Sequence, residues 1–457
     1  MTSEPLDALV TETLALLSDW TRHRSVAGNV RGLRDMGEAV RLFLTDEIGA
    51  DCLPAAAGDA PVIHARIDRG APATLLLYNM YDVMPADEPG WSVDPFAGAV
   101  VDLAPFGRCF VGRGAENNKG PLAGMLVALR HLLRHDGLDA NIEIVLDGQE
   151  ETGSTALRRF LAAPDCPVRR ADAGLFPSFC EYGGGAPRLY LGSKAIVRGK
   201  IACAGGAWGG PRRPIHSSNS PWIDNPAWAL THALSALATD RTGHWGAIAL
   251  DDEAKQLVKA LAAVFDPQAE LAFRSTARFA DIAPDGMCQD EEFLLTHVLA
   301  SANLNVTSLA AEAGAGSGTI PASAEATFEL RLPPGMEPAT MIDRLAGALR
   351  PHPGVDLSIE EAYPGHRFGR HAHGVQALHD VYVAHGITPQ LWPWTIGAMP
   401  CHAFSRVADS FLIGGLGHGG NAHGPDEFVT LHGLSRFLSS LLAWLPATAR
   451  SVVAQAA

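Results

Sequence analysis

The run TLLLY at residues 74–78 is continuously apolar. A strand with one face in water alternates polar and apolar side chains, so an unbroken apolar run belongs to a strand covered on both faces. NIEIVL at 141–146 reads as a second buried strand. The strand that contains TLLLY is expected to span 73–78, another strand is expected at 61–67, and helices at 6–20, 33–48 and 121–134. The last begins near Pro121, where a missing N–H costs little. Strands and helices that alternate in this way predict a mixed sheet covered by helices on both faces.

A chain of 457 residues is too long for one ordinary core, so two domains are expected. The pattern changes near Lys194. AEATFELRL at 324–332 and VDLSIEEA at 355–362 alternate with period two, as half-exposed antiparallel strands do. Helices are expected at 225–237 and 253–264. The α/β pattern resumes with a helix at 374–385, a strand at 410–413 and a helix at 427–445. The expected organisation is a catalytic domain in two pieces, 1–196 and 365–457, with an α+β domain inserted at 197–364. Only the Ala-rich tail after Trp444 reads as disordered.

With 35 Lys plus Arg against 50 Asp plus Glu, the net charge is −15. That balance argues against a nucleic-acid partner, because a phosphate backbone would be repelled. The first twenty residues carry acids and no basic stretch, so they read as an amphipathic helix and not as a secretory signal. No apolar run reaches about 18 residues, so no membrane partner is expected. Seven scattered cysteines without a CxxC pair read as reduced thiols in a cytoplasmic protein.

Chemistry concentrates in four stretches: LLLYNMYDVMPADEPGWSVDPF (75–96), GRGAENNKG (112–120), DGQEETGS (147–154) and NAHGPDE (421–427). In that order and spacing they resemble the aminoacylase, desuccinylase and carnosine-dipeptidase family of two-zinc peptidases. HSSNSPWIDNPAW (216–228) resembles the start of that family's lid domain. The resemblance implies a zinc-peptidase-type α/β fold, an inserted lid and dimerisation domain, a homodimer through that domain and a small amide- or carboxylate-bearing substrate. In such enzymes two zinc ions share a carboxylate and a water, and a Glu beside a ligand moves the water's proton.

Carried over by position, the resemblance makes Glu150 the general base and Glu151 and His423 metal ligands. The first His position is held by Met80, the bridging Asp position by Asn117 and a further acidic position by Ser178, with Glu181 three residues away. Asp82, which would orient the missing His, remains and is a candidate catalytic residue with Glu150 and His216. His216 matches the lid His that reaches across a dimer to a substrate oxyanion. Arg331, in ELRLPPG, matches a carboxylate-binding Arg, and Gly397, in TIGAMP, a substrate loop. Asn225, Asn117, Met80 and Ser178 complete the expected substrate-binding set. Thioether, hydroxyl and amide are neutral and poor replacements for carboxylates around zinc, and they offset little of the cost of burying a dication.

The expectation is therefore an enzyme without a cofactor, using Glu150 for acid–base work such as acyl transfer, cyclisation or isomerisation. Two alternatives stay open. One is an amidohydrolase or dipeptidase with a single weakly held Zn at Glu151 and His423. The other is a non-catalytic protein that binds a small ligand.

Overall fold

The computed structural model describes residues 3–53, 58, 62–237, 243–267, 270, 290–311 and 318–456. Its larger domain is built on an eight-stranded mixed sheet. In spatial order the strands are Asp51–Leu53, Ile63–Ile67, Asn141–Asp147, Thr74–Met80, Ala173–Pro177, Phe411–Gly414, Arg188–Tyr190 and Gln390–Trp392. The run from Asn141–Asp147 to Phe411–Gly414 is parallel. The crevice beyond the carboxyl ends of such strands is where an open α/β sheet receives its ligand.

Alternation along Thr74–Met80 explains why TLLLY is apolar throughout. Leu75 and Leu77 enter one core, with Ile142, Ile144 and Leu146 and the helices Lys119–Arg134 and Leu431–Ala456. Leu76, Tyr78 and Met80 enter a second core on the opposite face, with Phe176, Tyr190 and Ile413. Each fully buried Leu contributes about 1.5–3 kcal/mol relative to an exposed one, so both faces need cover.

The smaller domain carries five strands of a seven-stranded sheet. Its centre is Gly192–Ala204, flanked antiparallel by Ser323–Leu332 and Val355–Tyr363. The alternation read in AEATFELRL is realised: Ala324, Ala326, Phe328, Leu330 and Leu332 pack beneath the helices Pro226–Leu237 and Pro338–Leu349. Gly192–Ala204 belongs to both domains. Its first residues pair with His366–Arg367 and Thr395–Ala398, and the remainder pairs within the smaller sheet.

Three expectations are corrected. Not all of 197–364 stands apart: the helices Asp252–Ala262 and Glu291–Ala300 bury Ala254, Val258, Leu261, Leu295 and Leu299 in the larger domain's second core. Residues 427–445 are not one helix, because Phe428–Thr430 is a strand and the helix Leu431–Ala456 follows it. That helix continues through the Ala-rich tail, where Ala favours helix and Ala449 and Val452 are buried. A third, four-stranded sheet, Gly419–Gly420, Phe428–Thr430, Gly107–Val111 and Ala99–Leu103, has strands too short to show a period.

Among the described residues, only Leu431–Gln455 is long and apolar enough to cross a membrane, and 61% of its most apolar window is buried inside the protein. The six described cysteines are free thiols.

Lys194, near the start of the shared strand, is buried. Its Nζ donates to the carbonyls of Val298 and Ser301, 2.8 Å each, at the end of the helix Glu291–Ala300. Burial, with Arg331 adding to it, pulls its pKa down to about 7. An unfolded Lys titrates near ~10.4, so between those values the unfolded chain binds more protons and this group's contribution to stability rises with pH. Urea unfolding at a series of pH values should show the free-energy difference between wild type and Lys194→Met widening from pH ~7 to ~9.5.

Candidate active site

Two buried carboxylates fix the loops at the carboxyl ends of the parallel strands. Glu427 is fully buried and accepts the backbone N–H groups of Gly114, Glu116 and Asn117 at 3.1, 3.0 and 2.8 Å. Arg113 balances it, donating to Glu427 at 2.9 Å and also to the Pro85 and Gly424 carbonyls. Strand pairing delivers Glu427 to this place: Phe428, the next residue, pairs with Val111, which immediately precedes GRGAENNKG. Asp82 plays the same part on the other side. It is 2% exposed and accepts the N–H groups of Glu150 and Glu151 at 3.1 and 3.0 Å.

These clamps bring Glu150, Glu151, Asn117 and His423 to one cavity of about 360 Å³. Asn117 Nδ2 donates to Glu151 Oε1 at 2.8 Å and lies 3.0 Å from His423 Nε2. His423 Nε2 stands 3.2 Å from Glu151 Oε2. Residue 423 has φ +65°, a left-handed conformation rare for a non-glycine residue, and it turns the imidazole toward Glu151. The hydrogen bond to Glu151 raises the pKa of His423. Burial, then the neighbouring Glu151, Asp82 and Asp147 carboxylates, push Glu150 well above the usual carboxylate range. Met80, Ser178, Arg331 and Gly397 also line the cavity, as their sequence positions suggested.

Four residues lie elsewhere. Asp82 does not reach the cavity, and both its oxygens are occupied by backbone N–H groups. Its observed contacts are those of a positioning residue, not a catalytic one. Asn225 accepts from Ala227 N at 2.8 Å beside the start of the helix Pro226–Leu237. His216 is exposed on the smaller domain, and its Nδ1 lies 2.9 Å from Ser218 Oγ. Glu181, near Ser178 in sequence, is turned away: it pairs with Arg436 and accepts from Gly417 N at 2.6 Å.

The cavity also contains residues that motif reading missed. Glu116 adjoins Asn117, and burial, with Glu427 next, pushes its pKa up to about 8. Its adjacency to the GRGAENNKG position was the available signal. Phe176, Tyr190, Met399 and Ile413 line the cavity but look in the sequence like any other core residue. Arg198, beside Arg331, bonds Glu329 at 2.9 Å and Glu361 at 3.3 Å.

A parallel-strand crevice with adjacent glutamates, an imidazole and a second domain attached through a shared strand defines the class of peptidase-like amidohydrolases. The chain belongs to the family described as Peptidase family M20/M25/M40, which it matches over residues 76–445. It is similar to a cysteinylglycine-S-conjugate dipeptidase of Corynebacterium striatum, 26% identical over 84% of this chain and 83% of that protein. A Cys-Gly metallodipeptidase of Schizosaccharomyces pombe is 29% identical over 60% of this chain, a stretch spanning 56% of that protein's length. The solved M20 metallo-carboxypeptidase of Sulfolobus solfataricus shares the fold, with TM-score 0.83, 23% identity and coverage of 96% of this chain and 99% of that one.

These relatives overturn the expectation of an enzyme without a cofactor, since the family is one of metal-dependent peptidases and the yeast relative is itself a metallodipeptidase. The donor set decides what can be held. Glu151 and His423 face each other, and a half-turn of the Asn117 amide would bring its oxygen to the same point at the cost of the hydrogen bond that Oδ1 accepts from Asn118 Nδ2 at 3.0 Å. Asn and Gln orientations are assigned from such networks. That half of the site suits one divalent cation. The other half, Met80 and Ser178, offers a thioether and a hydroxyl and does not suit a second. Among the described residues, no group of three or more His, Cys, Asp or Glu gathers to hold an ion.

Two outcomes follow. Glu427→Gln leaves Arg113 paired with Glu88 alone and weakens the three backbone N–H contacts, and should cost on the order of 1–3 kcal/mol in urea unfolding. Asn117→Asp places a carboxylate between Glu151 and His423 and should tighten zinc or manganese binding by about tenfold or more in calorimetric titration.

Proposed function

We propose that the chain hydrolyses the amide bond of a dipeptide or a similarly small N-acyl amino acid, with a divalent cation held by Glu151, His423 and the Asn117 side chain. The observation that carries this reading is the convergence of Glu151, His423 and Asn117 within 3.2 Å of one another in the cavity that Glu150 lines. The descriptions of the two dipeptidase relatives support the substrate class. A cation so placed would polarise the scissile carbonyl and lower the pKa of attacking water.

The remaining work falls to the chain's own groups. Glu150 takes the proton from the attacking water and returns it to the leaving amine nitrogen, so that amide and water give acid and amine. Arg331 and Arg198, on the smaller domain's strands, supply positive charge for a substrate carboxylate. Asp82 keeps Glu150 and Glu151 in place through their N–H groups. His216 would contribute only from a second copy of the chain, in a homodimer formed through the smaller domain.

The test is hydrolysis of a dipeptide panel by chelator-stripped protein and after addition of zinc, manganese or cobalt. Turnover should appear only with a cation. Glu150→Gln should lower kcat by about 10²–10⁴-fold while calorimetric cation affinity stays within about threefold, because Glu150 is not a ligand. Cleavage by the stripped protein at the full rate, or a Glu150→Gln variant with unchanged kcat, would sink the proposal.

A further inference from the structure

The half of the cavity that does not suit a cation has a form of its own. Phe176 pairs in register with Ile413, and Ile413 pairs in register with Tyr190. Three adjacent strands of the large sheet therefore present three side chains in one row on one face. Met80 ends the next strand, Thr74–Met80, which runs parallel to Ala173–Pro177. Met399 closes the row, with its carbonyl held by Ser193 Oγ at 2.7 Å. All five residues belong to one apolar cluster, all line the cavity, and each keeps only 4–6% of its surface exposed. Glu116, Asn117, Glu150, Glu151, Arg331 and His423 line the same cavity. The cavity thus combines a charged set of side chains with an apolar set.

We propose that the row Met80, Phe176, Ile413, Tyr190 and Met399 is a specificity subsite that receives an apolar side chain of the substrate next to the amide facing Glu150. The inference rests on the amide-hydrolase reading for its substrate class, but its evidence is separate: the cross-strand register and the apolar lining. An apolar side chain laid on this row removes carbon surface from water on both partners. A polar side chain of the same shape would lose its water there, where the side chains of Met80, Phe176, Ile413 and Met399 offer no strong hydrogen-bond partner and only the Tyr190 hydroxyl could replace it. At about 360 Å³ the cavity is at the small end for ligand pockets, which run from ~300 to ~1,000 Å³. That size accommodates a dipeptide.

Leucine and asparagine side chains have the same shape and differ in polarity, so they make a clean pair. Binding of Leu-Gly, Asn-Gly, Gly-Leu and Gly-Asn is measured by calorimetry on stripped and on zinc-loaded protein, with kcat/KM wherever turnover occurs. At one of the two positions Leu should be preferred over Asn by about tenfold or more. Met80→Gln, nearly isosteric, should shrink that preference to under about threefold, and Ile413→Thr should shrink it independently. The wild-type preference decides the matter even if both variants fail to fold. Equal binding of Leu and Asn at both positions, no binding of any of the four at millimolar concentration, or an undiminished preference in folded Met80→Gln would overturn the subsite. If no cation supports cleavage of any dipeptide, the function proposed above falls while the binding preference is still read directly. If cleavage proceeds without a preference, the subsite alone falls.

Discussion

The site depends on carboxylates buried where backbone N–H groups need partners. A buried N–H left unpaired costs about 1–3 kcal/mol, and the loops at the ends of parallel strands expose several. Glu427 satisfies three such groups in the GRGAENNKG loop, and Asp82 satisfies two at Glu150 and Glu151. Burial of these acids is itself costly, and it raises the pKa of Glu427 and Asp82 alike. Arg113 offsets that cost for Glu427 at 2.9 Å. For Asp82 the N–H groups of Glu150 and Glu151 do the offsetting, with the buried Lys119 adding to it at longer range. The result is that Asn117, Glu150 and Glu151 extend from backbone that cannot relax without exposing a charge in the interior.

That rigidity has an electrostatic counterpart. Asp82, Asp147, Glu150 and Glu151 sit close enough to raise the proton affinity of Glu150, with Arg198 working weakly in the other direction. Like charges held together favour a shared proton or a bound cation. His423, hydrogen-bonded to Glu151, supplies part of the balance. A cation between Glu151 and His423 would supply more, which is the physical reason that the metal dependence of the relatives and the charge pattern of this chain point the same way.

Much of the architecture could be read from periodicity because it depends on periodicity. TLLLY needed cover on both faces and has it, and AEATFELRL needed one wet face and has it. Glu150 and Glu151 were legible because they follow a buried strand directly. The clamp role of Glu427 was not, since it depends on a three-residue strand pairing with residues more than 300 positions earlier. The apolar row was hidden for a different reason: Phe176, Tyr190 and Ile413 carry no mark that separates a cavity wall from a core. His216 and Asn225 were singled out by resemblance, and within one chain they lie outside the cavity. Residues 252–262 and 291–300 fell within the expected inserted domain by sequence order, whereas apolar contact joins their helices to the larger one.

The strand Gly192–Ala204 runs without a break for 13 residues, its root in one domain and its length in the other. Two domains joined by flexible loops can swing about the loops. Joined by a paired strand, they share hydrogen bonds that would have to break for a free swing. The soft coordinate that remains is twist about the ribbon's own axis, which strands accommodate readily. Arg198 lies on that ribbon and Arg331 on the strand paired to it, at Ile196. Torsion there would roll both guanidinium groups across the cavity mouth like a turning key, changing their aim more than their distance.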